Sequence, residues 1–157
     1  MKKEETVDYN VKITWHAISR MYNQKGLPFD ITASTGFVLI NIDSEKGTPA
    51  TKIAPLLGLE ARSLTRMLKS LEEKGMIYKQ QDPNDRRSVR IFLTESGKHK
   101  KEISRRVVKE FNKKIREQIP EDQLNVFFNV IRQINLIIDH NNIYQELETS
   151  INSLEKS

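Results

Sequence analysis

Two sets of cations stand at spacings that suit recognition of a polyanion. Arg86 and Arg87 are adjacent in Asp82-Pro-Asn-Asp-Arg-Arg-Ser-Val-Arg-Ile-Phe-Leu-Thr-Glu-Ser-Gly97, a polar turn that runs into an alternating strand and then a helix cap. Upstream, Leu56-Leu-Gly-Leu59 precedes a segment in which Arg62, Ser63, Thr65, Arg66 and Lys69 interleave with Leu64, Met67, Leu68 and Leu71. At the helical period the polar and apolar sets fall on opposite faces. A guanidinium is planar, always charged and suited to paired hydrogen bonds with guanine edges or phosphate oxygens. A basic helix followed closely by a basic hairpin supplies what is needed to hold two neighbouring grooves of duplex DNA. Taken alone, the helix face reads better as ordinary solvated surface, and the hairpin could be a solvated turn; their adjacency favours DNA.

Other chemistry is poorly supplied. His16, His99 and His140 are scattered, with no spacing that would converge on a metal ion. No phosphate-cradling glycine loop, nucleophile elbow or zinc-protease helix occurs, so neither an enzyme nor a cofactor is expected. The paired acids Glu72-Glu73 and Glu121-Asp122 fall on a helix surface and a helix start, where charge and dipole account for them. The absence of cysteine excludes disulfides, thiolate metal sites and thiol switches. No apolar run is long enough to cross a membrane, and Met1-Lys-Lys-Glu-Glu5 does not lead into a secretory signal. A cytoplasmic location is the expectation.

The net charge of +5 is uneven along the 157 residues. Residues 1–59 carry +1, residues 60–106 carry +6 and residues 107–157 carry −2. The positive excess coincides with the two cation sets, as a polyanion partner would require.

The elements that must position these groups are mostly helical. Val7, Val11, Trp15, Ile18 and Tyr22 predict a first helix that stops before Gly26-Leu27-Pro28. A second, apolar on most sides, is predicted from Ile31 to about Asp43, entered through Asp30 or Thr32. Thr48 reads as a cap with Pro49 at the first helical position, and a third helix is predicted from about Pro49 or Ala50 to Leu57, ending at Gly58. The basic helix is predicted over about Glu60–Lys74, closing at Gly75, so that the pair forms a helix-turn-helix. Met76–Gln80 and Val89–Leu93 read as the strands of a wing, and Thr94-Glu-Ser-Gly97 caps a long helix striped by Ile103, Val107, Phe111, Ile115 and Ile119. Pro120 opens another helix, with Leu124, Phe127, Phe128, Ile131, Ile134 and Ile138 as its stripe, and a weaker stripe continues through Ile143, Leu147, Ile151 and Leu154. These stripes exceed what one small winged domain can cover. They imply a homodimer through the chain ends, or else a self-contained helical lobe.

This order of elements resembles the MarR family of winged helix-turn-helix transcription regulators. The resemblance is carried by Ile53-Ala-Pro-Leu-Leu-Gly-Leu59, Ser63-Leu-Thr-Arg66, Leu71-Glu-Glu-Lys-Gly-Met-Ile77 and Asp82…Asp85-Arg-Arg…Leu93-Thr94…Gly97. The expected fold is mainly α with a small β wing: a winged helix-turn-helix plus an N- and C-terminal helical dimerisation lobe. Expected segments are 1–30 for the N-terminal part of the lobe, 31–99 for the winged domain and 100–157 for the C-terminal helices. The resemblance implies a homodimer on a pseudo-palindromic operator of double-stranded DNA, usually repressing, and often released by a small aromatic or lipophilic effector. It also implies that Arg87 enters a minor groove, steadied by Asp85. The tail after Asp139 is longer than the family architecture needs and receives no role.

On the basic helix, Arg62, Ser63 and Arg66 are best placed for base edges, and Thr65 and Lys69 for phosphates, with Ser63 able to serve either. Arg86 shares the hairpin tip with Arg87, and Ser88 and Arg90 are expected on the DNA backbone. Trp15, His16, Arg20, Tyr22 and Phe37 form a candidate effector pocket, although aromatic groups at helical spacing more often belong to a core. A ligand-independent regulator and a winged-helix protein-interaction module remain as alternatives.

Overall fold

The computed structural model describes residues 2–82, 88–140 and 143–155. Two glycines delimit its central helix. Gly58 and Gly75 have φ of +60° and +66°, the left-handed conformation that glycine adopts without a Cβ penalty. Each closes the helix before it with a paired bond pattern. Leu59 N–H donates to Ala54 at 3.0 Å and Gly58 N–H to Pro55 at 3.2 Å; Met76 N–H donates to Leu71 and Gly75 N–H to Glu72, both at 2.9 Å. Gly58 follows α3 (Ala50–Leu56) and Gly75 follows α4 (Ala61–Glu73), the two helices of the predicted helix-turn-helix.

Ahead of this pair, α1 (Val7–Gly26) runs into a 3₁₀ turn at Leu27–Phe29, followed by α2 (Ala33–Ile40). α2 is shorter than the Ile31–Asp43 expected, because its start is set by Thr32. Thr35 N–H donates to the Thr32 hydroxyl at 3.2 Å and Thr32 N–H to the Thr35 hydroxyl at 2.9 Å. Asp30, the other candidate cap, instead takes a left-handed turn at φ 53°.

Three strands follow the order β1–β3–β2, all antiparallel: β1 (Thr48–Pro49), β2 (Ile77–Gln81) and β3 (Val89–Leu93). The third helix starts at Ala50 with Pro49 as its N-cap, so β1 corrects only the placing of Thr48 as the cap and Pro49 as the first helical residue. They pair with Ile91 and Arg90 instead, and an edge strand tolerates a proline because its missing N–H faces away from the ladder.

One core joins these elements. Val38, Leu39, Ile42, Ile53, Leu64, Leu68, Leu71, Met76, Ile77, Ile91 and Leu93 are all buried in a single cluster drawn from α2, α3, α4 and the sheet. At about 1.5–3 kcal/mol per large apolar side chain, this cluster is the main force that holds α4 against the hairpin.

After β3 come α5 (Glu95–Gln118), α6 (Glu121–His140) and α7 (Ile143–Glu155). The chain divides into two compact units, Met1–Glu110 and Phe111–Ser157, with the boundary inside α5. In the second unit Leu124 is buried, whereas Val126, Phe127, Phe128, Leu136, Ile137 and Ile138 of α6 and Tyr144, Leu147 and Ile151 of α7 are exposed. No helix among the described residues is long and apolar enough to cross a membrane.

Candidate nucleic-acid interface

α4 buries one face and presents the other. Leu64, Leu68 and Leu71 are at most 5% exposed, at the i, i+4, i+7 spacing of a helical stripe. At about 100° per residue, Arg62, Arg66 and Lys69 fall within an arc of roughly 60° on the opposite side. They are exposed, as are Ser63 and Thr65. Arg62 and Arg66 form no hydrogen bond or ion pair among the described residues. Lys69 lies 3.8 Å from Glu73 in an exposed pair that solvent weakens. Thr65 donates its hydroxyl to the carbonyl of Ala61 at 2.9 Å, which leaves the oxygen able to accept.

The hairpin rises beside this helix. Its ladder extends from Ile77 opposite Leu93 to Gln81 opposite Val89, and Asp82 N–H donates to Ser88 O at 2.9 Å beyond the last pair. Asp85, Arg86 and Arg87 lie outside the described residues. Ser88 is half-buried. Arg90 turns its guanidinium inward: Nε donates to Asp82 Oδ2 at 3.1 Å, Nη2 lies 2.9 Å from the same oxygen, and Nη1 donates to the carbonyls of Lys46 and Gly47 at 3.1 and 3.3 Å. Tyr78 and Phe92, opposite each other in the ladder, stack at 5.4 Å with an interplanar angle of 15°. Such a cross-strand aromatic pair stiffens the hairpin.

Behind these elements, the first unit contains an apolar pocket of about 30 Å³, room for one water. Tyr22, Gly36 and Phe37 line it from α1 and α2, and Ile103, Ser104 and Val107 from α5. Tyr22, Thr32 and Ser104 are the lining residues with polar side chains. Burial pushes the Tyr22 phenol above its ordinary pKa. Ser104 donates to Lys100 O at 2.9 Å.

The sequence pattern of the MarR family matches residues 31–89, which span the helix-turn-helix and most of the sheet. The HTH-type transcriptional regulator SarZ of Staphylococcus aureus (strain USA300) is 31% identical over 118 residues, covering 73% of this chain and 78% of SarZ. SarZ of Staphylococcus saprophyticus is 32% identical over 124 residues, covering 76% and 85%. The chain belongs to the MarR family. Among solved structures, the S. aureus MepR–DNA complex superposes with a TM-score of 0.75 at 25% identity, over 82% of this chain and 96% of MepR.

In this MarR-family regulator the structure gathers the five predicted α4 residues on one exposed face. It brings Tyr22 and Phe37 together at the pocket, with ring centroids 5.8 Å apart. Trp15 packs on Phe37 at 5.9 Å but remains half-exposed, and His16 and Arg20 are exposed on α1 without lining the pocket. The α5 wall was missed as such. In the sequence Ile103 and Val107 show only as members of a helical stripe, which is also how core residues look. Among the described residues no cluster of potential metal ligands occurs.

Proposed function

We propose that this MarR-family chain acts as a cytoplasmic homodimeric repressor that binds a pseudo-palindromic operator. Each α4 enters a major groove, about one helical turn from its counterpart, and each hairpin takes a flanking minor groove. The observation that carries this reading is the face of α4, where exposed Arg62 and Arg66 stand back to back with the buried leucines. Arg62, Ser63 and Arg66 read base edges; Thr65 and Lys69 hold phosphates. Arg86, Arg87 and Ser88 supply the wing contacts, with Asp85 orienting Arg87. The MepR–DNA complex supports the assignment, as does the positive excess of residues 60–106. Dimerisation is supported by the apolar side chains exposed on α1 in the first unit and on α6 and α7 in the second, each a face that another copy could cover.

An effector enters through the pocket in the first unit. Its lining selects a small, apolar, uncharged compound, because no cation or anion is among the lining residues. Binding weakens the operator complex only if the compound prefers the conformation with poorer groove spacing. The size of the pocket, room for one water, favours a second reading: a regulator without a ligand, in which these residues serve only as core. Thermal-shift screening with small neutral aromatics separates the two.

Fragments selected from the source genome, then titrated by fluorescence anisotropy over a salt series, test DNA binding itself. Site-specific, strongly salt-dependent affinity is expected. Equal affinity for the selected site and a random duplex of the same length would overturn the reading, in favour of a protein-interaction module.

A further inference from the structure

A buried carboxylate beneath a hairpin that approaches a polyanion is unfavourable unless a cation cancels it. Asp82 is 6% exposed and sits where the hairpin leaves β2, its N–H bonded to Ser88 O. Arg90 supplies the cancellation through Nε and Nη2, both directed at Asp82 Oδ2. The remaining edge of the guanidinium is also committed, since Nη1 donates to the carbonyls of Lys46 and Gly47. One planar cation therefore joins three stretches: the residue just past β2, the start of β3 and the turn before β1.

That turn is a firm abutment. The Asp43 carboxylate accepts the N–H groups of Glu45 and Lys46 at 2.8 and 2.7 Å. Lys101 reaches from α5 to the carbonyl of Ile42 and to the Ser44 hydroxyl. β1 has only two residues, one of them a proline, so its edge of the sheet has little backbone bonding of its own. The guanidinium makes up that deficit at the position where Pro49 faces Arg90.

We propose that Arg90 is a positioning residue of the wing and not a contact to DNA. With Asp82 it forms a charge-neutral brace that holds both ends of the hairpin turn, Asp82 and Ser88, against the 43–47 turn. Operator affinity then depends on Arg90 through the placement of the hairpin, and its charge is spent inside the protein. The proposal rests on the DNA-binding reading above.

Charge and geometry predict opposite results here, which makes the test decisive. Asp82→Asn removes a negative charge near the DNA, so simple electrostatics predicts tighter binding; loss of the brace predicts weaker binding. Arg90→Lys keeps the charge, and a lysine serves well as a point-charge phosphate contact. An ammonium cannot reproduce the planar fork that reaches the carboxylate and two carbonyls together.

The full dimeric chain and both variants are titrated against the selected operator and a random duplex of equal length, across a salt series. Wild-type protein that fails to prefer the operator would sink the DNA-binding reading. Given that preference, both variants are expected to lose about tenfold or more on the operator while changing little on the random duplex, so that the specificity ratio falls. Circular dichroism checks that each is folded, and Arg90→Lys decides the matter alone if Asp82→Asn unfolds. The proposal is overturned if Arg90→Lys binds the operator like wild type, or if Asp82→Asn binds more tightly with a steeper salt dependence.

Discussion

Thr94 donates its hydroxyl proton to the carbonyl of Gly75 at 2.7 Å, so the residue that caps α5 is bonded to the residue that closes α4. The same oxygen accepts the N–H of Gly97 at 3.1 Å, and Thr94 N–H donates to Met76 O at 3.1 Å. One residue, through its hydroxyl and its backbone N–H, thus ties together the end of the basic helix, the start of the hairpin and the start of the long helix. Thr94→Val keeps the shape and removes both hydroxyl bonds. A loss of about 1–2 kcal/mol is expected, read as a lower urea midpoint with an unchanged slope.

Arg62→Ala and Arg66→Ala should each weaken operator binding by about 1–3 kcal/mol and relax the preference for one base pair. Both residues are exposed and form no bond among the described residues, so the unfolding midpoint should barely move. Lys69→Ala should weaken all sequences alike and reduce the salt slope by about one. Arg87→Ala should likewise flatten the salt dependence; an unchanged slope counts against the wing assignment.

α4 was legible because its signals agree. A leucine period, a cationic face and a glycine at each end all describe one helix, and no long-range contact is needed to see it. β1 was not legible: Thr48-Pro49 is also a helix-start signature, and two residues are too few to show alternation. Arg90 is a similar case. Strand alternation tells only that it faces away from Ile91, while its carbonyl partners lie more than forty residues back in the chain. The pocket carried its own warning. Tyr22 and Trp15, seven apart, share a face of α1, whereas Arg20, two residues from Tyr22, cannot.

Gly36 lines the pocket from α2. A Cβ there would stand 3.1 Å from Ser104 Oγ and 3.3 Å from Ile31 Cγ2. Gly36→Ala should therefore fill the space between α2 and α5. If a neutral aromatic compound raises the melting temperature of the wild-type chain, the variant should lose that shift and keep its DNA affinity. A variant that still responds would move the ligand site elsewhere.

The 43–47 turn gives a pH test. Backbone N–H groups of Lys46 and Glu45 hold the Asp43 carboxyl below its ordinary pKa of 3.8. A lowered folded-state pKa means that this contribution is present above about pH 4 and is lost as pH falls through the folded value. Asp43→Ala should thus lower the melting temperature at pH 7, and the gap to wild type should narrow near pH 3. A gap that stays constant would show that the carboxylate charge does no work in the turn.

The exposed apolar residues of α6 and α7 bear on inheritance. If an identical chain covers them, a copy damaged only in α4 still pairs with an intact one, and the mixed pair grips half of a two-part operator. With equal amounts of each, only about a quarter of pairs carry two sound halves. A lesion in the basic helix would behave as dominant, while one that removes the apolar face would be recessive.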